Sequence, residues 1–378
     1  VPTAANFLSL LAGVFMSEVS RVQVEEALQH YTVPHLNQNL LTANVIDDIT
    51  INGSQVKVEI VLGFAAASIQ VAMQDAIADL LRQIKGVAKA EVVVSWKIVG
   101  ATSQREMPNM DHVKNIIAVA SGKGGVGKST TSVNLALALV KEGARVGLLD
   151  ADIYGPSQQL MLGVGSDRRP AQQGQYLLPI EAHGLKTMSM GYMSSAKTPM
   201  VWRGPMAGGA LSQLLAQTWW GELDYLIIDM PPGTGDIQLT LSQKAAVAGA
   251  VIVTTPQDIA LIDAQKGIEM FKQVDVPVLG VVENMAIHIC SECGHKEHIF
   301  GEGGGDRIAG DYQVPLLGSL PLSIKVRQFS DAGQPIVVAN PEGEEAKLFG
   351  EIARNMMAQL SLRSAATTAF PHIVIKND

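Results

Sequence analysis

Three groups of residues in this 378-residue chain have types and spacings suited to chemistry. The first is Gly122–Lys123–Gly124–Gly125–Val126–Gly127–Lys128–Ser129–Thr130. It is entered through the apolar run Ile116–Ala120 and left through Val133, Leu135, Leu137 and Leu139. Residues 122–129 match G-x-x-x-x-G-K-[ST] in a strand–loop–helix context. In such a loop the glycines let backbone N–H groups turn inward around phosphate oxygens, and the helix N-terminus adds partial positive charge. Gly122, Gly124, Gly125, Val126, Gly127 and Thr130 are the expected loop contacts. Lys128 is expected on the β- and γ-phosphates, with an ammonium that has no packing duty, and Ser129 on Mg²⁺.

The second group is a set of acids closing apolar runs. Leu148–Leu149–Asp150–Ala151–Asp152 is one. Tyr225–Leu226–Ile227–Ile228–Asp229 is another, and it leads into Met230–Pro231–Pro232–Gly233–Thr234–Gly235–Asp236. Carboxylates at the C-terminal ends of parallel strands border the ligand crevice of such sheets. Asp236 equally fits a cap on the helix that follows. Val281–Val282–Glu283–Asn284–Met285 closes a further strand, where the Asn amide suits either a base edge or a turn. The third group is Cys290 and Cys293, the chain's two cysteines, in His288–Ile289–Cys290–Ser291–Glu292–Cys293–Gly294–His295. This spacing lets two thiolates converge on one metal. With His288, His295 and His298 nearby, it fits half a zinc ribbon, an iron–sulfur ligand pair or a redox dithiol.

Positioning these groups needs more than one core, since 378 residues predict two domains. Hydrophobic residues are 47% and charged residues 17%, a globular balance. A net charge of -8 gives no basic face for nucleic acid. No apolar run nears the roughly 20 residues of a membrane span. The best candidate, Asn6–Met16, has no positive charge before it and does not read as a signal peptide. Two cysteines make no disulfide framework, and the chain reads as cytoplasmic.

Residues 18–97 read as a small α+β domain. Val19, Val22, Ala27, Leu28 and Tyr31 form a helical stripe. Ile49–Gly53 starts a hairpin, and Val56, Val58 and Ile60 alternate with Lys57 and Glu59. A helix over 67–85, ending at Gly86, and a strand over 90–96 complete the unit. Residues 98–112 read as a linker, and 361–378 as a polar tail. Between them, 113–360 shows continuous apolar strands separated by helices, which predicts an α/β domain with a mostly parallel, doubly wound sheet.

Lys123 is a second lysine within the phosphate loop. G-K-G-G-V-G-K-[ST]-T resembles the deviant Walker A class of P-loop ATPases, which includes MinD and ParA, the nitrogenase iron protein and the Mrp-type (ApbC-like) iron–sulfur cluster carriers. The resemblance implies a P-loop NTPase fold and ATP hydrolysis, with Lys123 reaching across a homodimer interface to the partner's nucleotide. It implies that Asp229 holds Mg²⁺ through water and that Asp150 and Asp152 lie in the first switch, Asp152 orienting the attacking water. It places the Gly233 amide on the γ-phosphate, Asn284 on adenine and Leu320–Pro321–Leu322 beside the base. Asp152–Ser157, Val201–Met206, Val253–Gln257 and the long Asp229–Asp236 switch resemble the Mrp branch. In that branch a C-x-x-C just after the adenine-site Asn holds a bridging [4Fe–4S] cluster, which implies this role for Cys290 and Cys293. Four thiolates are wanted and one chain has two, so a symmetric dimer supplies them.

ATP, Mg²⁺ and a [4Fe–4S] cluster are thus the expected cofactors. Apo iron–sulfur proteins are the expected recipients, with no nucleic acid or membrane partner. The N-terminal unit is similar to the small domain that precedes Mrp-type ATPases and also occurs alone in iron–sulfur assembly factors. Such domains often carry a Cys near the second helix, where this chain has Gly63–Phe64–Ala65–Ala66–Ala67, so no direct chemistry is expected there. Two alternatives stand. A MinD- or ParA-like positioning switch would want a basic amphipathic end or basic surface, unlike the short, Pro-interrupted Ala369–Asp378. An ATPase with a structural zinc would use the nearby histidines.

Overall fold

The computed structural model describes residues 19–101, 110–193 and 204–368. Asn6–Met16, residues 102–109 of the linker, Val201–Trp202–Arg203 and Ala369–Asp378 lie outside them. The chain divides into two compact units. Among the described residues, one holds 19–62 together with Ser68–Trp96, and the other holds Gly63–Ala67 and those from Lys97 on.

The first unit runs α1 (Arg21–Leu28), β1 (Ile46–Asn52), β2 (Gln55–Leu62), α2 (Ala67–Arg82) and β3 (Lys89–Trp96). β1 and β2 pair antiparallel, and β2 and β3 pair parallel. Gly53 makes the hairpin turn at φ +58°, a conformation that glycine adopts without strain. Val56, Val58 and Ile60 are buried, as their alternation predicts. α1 departs from the expected stripe: Val22 is 61% exposed and Val24 is buried. The reason is local. Ser20 and Gln23 form a capping box that starts the helix at Arg21. With that start, Val24 and Leu28, one turn apart, face inward together.

The second unit is built on an eight-stranded sheet among the described residues. Its elements, in chain order, are β4 (Val113–Ala120), α3 (Lys128–Lys141), β5 (Val146–Asp150), β6 (Ile180–Ala182), β7 (Leu185–Ser189), α4 (Gly204–Gln217) and β8 (Leu223–Asp229). They continue with α5 (Asp236–Lys244), β9 (Val247–Thr254), α6 (Asp258–Gln273), β10 (Val278–Glu283), α7 (Gly304–Tyr312), β11 (Leu316–Ser319), α8 (Ile324–Asp331), α9 (Ile336–Ala339) and α10 (Glu344–Thr368). The strand order is β6-β7-β5-β8-β4-β9-β10-β11, and only the β6–β7 pair is antiparallel.

Every residue of β8 and β10 is buried. Successive side chains point to opposite faces, so both faces of the sheet are covered there. α3 and α10 pack on each other, and α6 packs on β9. α10 runs on to Thr368, past Ser361 where composition alone starts the tail. Strands leave β4 in both directions, which opens a crevice at their C-terminal ends.

Candidate nucleotide site and cysteine hairpin

The phosphate loop sits in that crevice. α3 begins at Lys128, with Gly127 at its N-cap and no side-chain cap. The first N–H groups of the helix therefore face the loop without a side-chain acceptor. Two glycines are forced by space. A β carbon on Gly127 would lie 2.2 Å from the Asn284 amide nitrogen, and its φ is +82°. A β carbon on Gly122 would lie 2.1 Å from the Asp263 backbone of α6.

Behind the loop is a buried polar network. β5 and β8 place Asp150 and Asp229 side by side in register, both fully buried. Lys128 Nζ donates to Asp229 Oδ1 at 2.7 Å and is itself only 6% exposed. This overturns the expectation of an ammonium without packing duty, because it neutralises a fully buried carboxylate. Ser132, one turn along α3, donates to the same oxygen at 2.9 Å. Gln158 Nε2 donates to Asp229 Oδ2 at 2.8 Å and to the Ser129 carbonyl at 3.0 Å.

Asp150 faces the loop that follows it. Its carboxylate accepts from the N–H groups of Asp152, Ser157 and Gln158 and from the Ser189 hydroxyl. Burial, and then the charge of Asp229, push its pKa up, while the backbone N–H bonds and Lys128 pull it down. Asp152, half-buried, accepts from the Gly155 N–H at 3.2 Å, and burial pushes its carboxyl up as well. The Gly233 N–H donates to the Ser121 carbonyl at 2.9 Å, so in this conformation it is turned away from the phosphate position. Lys123 Nζ lies 3.5 Å from Gln257 Oε1, just before α6. α5 begins at Asp236 with Gly235 at its N-cap, so Asp236 is not the cap.

Asn284 Nδ2 donates to the Val126 carbonyl at 2.9 Å, which ties the end of β10 to the phosphate loop. Beside it opens a cavity of about 450 Å³, lined by Thr130, Met161, Asn284, Leu320–Ser323, Val326 and Phe349 among others. This is room of the size a nucleoside needs, with Leu320–Pro321–Leu322 on one wall. The same wall continues toward the cysteines. Leu320 N–H bonds Glu283, Ala286 N–H bonds Leu320 and Leu322 N–H bonds Ile287, and His288 then bridges Leu322. Backbone bonding between the two segments thus continues past the cavity, across a turn at Asn284–Met285.

Two residues beyond that bridge is the turn of a small hairpin, His288–Ile289 against Lys296–Glu297. Cys290 N–H bonds the His295 carbonyl, and Gly294, at φ +71°, bonds back to Cys290. N–H donation from Cys293 and Glu292 lowers the pKa of the Cys290 thiol. Cys293 is exposed and Cys290 partly so. Both roots of the excursion meet one carboxylate: Glu283 precedes Asn284, and it accepts from Gly305 N–H at 2.8 Å and from the Ser319 hydroxyl at 3.0 Å.

Residues 112–357 match the family model for the NUBPL iron-transfer P-loop NTPase. The chain belongs to that family. Residues 21–94 of this iron-transfer NTPase also match the model for an iron–sulfur cluster assembly protein. An iron–sulfur cluster carrier protein of Pseudomonas fragi is 59% identical over 72% of this chain and 96% of its own. One from Escherichia coli K12 is 49% identical over 91% and 93%. Among solved structures, a nucleotide-binding protein of Archaeoglobus fulgidus in complex with ADP shares 38% identity, with TM-score 0.56, over 64% of this chain and 94% of its own.

In this P-loop NTPase the fold assembles Gly122–Thr130, Asp150, Asp152, Asp229 and Asn284 around one crevice, with Cys290 and Cys293 on a neighbouring extension. Sequence reasoning missed Gln158, Ser132 and Glu283. Ser132 carries a signal, since it stands one helical turn after Lys128. Gln158 lies just past the Asp152–Ser157 segment and has none.

Proposed function

We propose that this P-loop NTPase is an ATP-hydrolysing carrier that holds a [4Fe–4S] cluster as cargo between two copies of itself and passes it to apo iron–sulfur proteins in the cytoplasm. The observation that carries this reading is the mounting of Cys290 and Cys293. Two accessible thiols stand on the segment that follows β10 and Asn284. Among the described residues no group of three or more His, Cys, Asp or Glu is placed to hold a metal. A two-fold axis through the hairpin would supply the other two thiolates of a four-cysteine cluster. The relatives named as iron–sulfur cluster carrier proteins favour the same use. Ile259 and Ile262 are exposed on α6, near Lys123 and Gln257, and offer apolar surface for the second copy to cover. No helix among the described residues is long and apolar enough to cross a membrane.

In the nucleotide reaction Lys128 leaves Asp229 for the phosphates, and Ser132 and Gln158 keep the carboxylate in place. The residues present fit Mg²⁺. Ser129 and Asp229 are hard oxygen donors, and the buried Gln158 Oε1 has no partner in the protein. Mg²⁺ held by Ser129 and, through water, by Asp229 would neutralise charge on the phosphates. Asp152, with its carboxyl raised by burial, orients the attacking water. Lys123 exchanges Gln257 for the partner's nucleotide. Hydrolysis reaches the cluster through the shared Leu320–Leu322 wall.

The test is anaerobic reconstitution followed by iron, sulfide and zinc analysis. About four iron and four sulfide per dimer are expected. Replacing His288, His295 and His298 together should leave that content unchanged. One zinc per chain, with no iron or sulfide, overturns the reading.

A further inference from the structure

Gln158 belongs to no motif, yet it is 1% exposed at the start of the short helix Gln158–Met161, with its own N–H bonded to Asp150. Its side chain joins the two halves of the nucleotide site. Nε2 bonds the Ser129 carbonyl on one side and Asp229 Oδ2 on the other, at 3.0 and 2.8 Å. Lys128 and Ser132 both act on Oδ1, so Gln158 is the group that grips Oδ2. The amide's orientation follows from its partners. Turned over, it would set Oε1 against two acceptor oxygens. Oε1 is therefore left buried and without a donor. A buried acceptor without a donor is costly unless a ligand completes it.

We infer that Gln158 is an outer-sphere magnesium residue, a positioning group that fixes the Asp229 carboxylate through Nε2 and accepts from an ion-bound water through Oε1. The inference rests on the reading of Asp229 as the magnesium carboxylate. It explains how that carboxylate keeps its orientation when Lys128 departs. Outer-shell partners of this kind, when removed, lower metal affinity about 10- to 100-fold.

Gln158→Met keeps the length and volume of the side chain and removes both polar atoms. Binding of a fluorescent ATP analogue to the full chain is measured in EDTA and then during Mg²⁺ titration. The expected result is affinity in EDTA within about twofold of the parent chain and an Mg²⁺ half-saturation point raised about tenfold or more. Paramagnetic resonance of bound Mn²⁺ should show the same shift without reference to turnover. Gln158→Leu carries the same expectation and serves if the Met variant fails to fold. Unchanged half-saturation in the folded variant, or an equal loss of affinity in EDTA, overturns the inference. A parent chain whose nucleotide binding ignores Mg²⁺ would instead overturn the reading of Asp229.

Discussion

The phosphate loop and the cysteine turn stand at the same end of one sheet, yet they handle charge in opposite ways. Around the loop, Lys128 is 6% exposed, and Asp150 and Asp229 are fully buried and held by backbone and side-chain donors. Around the turn, residues 291–299 are exposed and the thiol partners are two nearby N–H groups. A group that must meet phosphate in a dry crevice has to be compensated beforehand, because an unpaired buried charge is very costly. A thiolate that must release its cargo needs access instead, and water covers its charge. The first region is therefore coupled to the stability of the fold and the second is not.

The strongest way to break this contrast is Lys128→Ala. Loss of hydrolysis is expected, to below roughly one thousandth of the parent rate. Because Asp229 would be stranded, unfolding stability should also fall by about 3–5 kcal/mol. Adding Asp229→Asn should recover much of that stability and none of the activity. Urea melts of the parent chain and the two variants check it, and a single mutant as stable as the parent chain would erase the distinction.

Cys290→Ala should do the reverse. Iron and sulfide binding should vanish, since in the proposed dimer one substitution would remove two of four ligands at once. Stability should stay within about 0.5 kcal/mol and nucleotide affinity within about twofold. Metal analysis beside a melt decides it, and a large drop in stability would make the hairpin part of the core.

Lys123→Ala sharpens the comparison with a smaller effect. The residue is half-buried in the loop but has only a 3.5 Å contact to Gln257. Nucleotide binding should persist, while hydrolysis falls about 10- to 100-fold and ceases to depend on protein concentration. Unchanged turnover would leave Lys123 without a catalytic role.

What the sequence reveals and what it hides follow the same division. The phosphate loop, the acids after β5 and β8 and the cysteine pair are legible because each is a short contiguous pattern on a recognisable strand or turn. The sheet is legible because buried parallel strands are continuously apolar. The Lys128–Asp229 pair joins residues 101 positions apart, and the Gln158–Asp229 contact joins residues 71 apart. Such contacts appear only when strand order places β8 between β4 and β5. Val24, not Val22, stands one helical turn before the buried Leu28, and the two face inward together. Gly233 sits in the expected switch, but the direction of its N–H is set by Ser121 on another strand's end.

The ladder that runs from Glu283 to His288 has a mechanical consequence. A flexible tether would absorb a small displacement, whereas paired strands resist stretching and pass it along. Asn284 and Cys290 are six positions apart on a segment that turns at Asn284–Met285, is bonded on its other side to Leu320–Leu322 and is clamped at its root by Glu283. A shift at the base wall would reach the thiols through the backbone bonds to Leu320–Leu322. The cysteines stand at the tip of a bracket whose root is the floor of the nucleotide cavity.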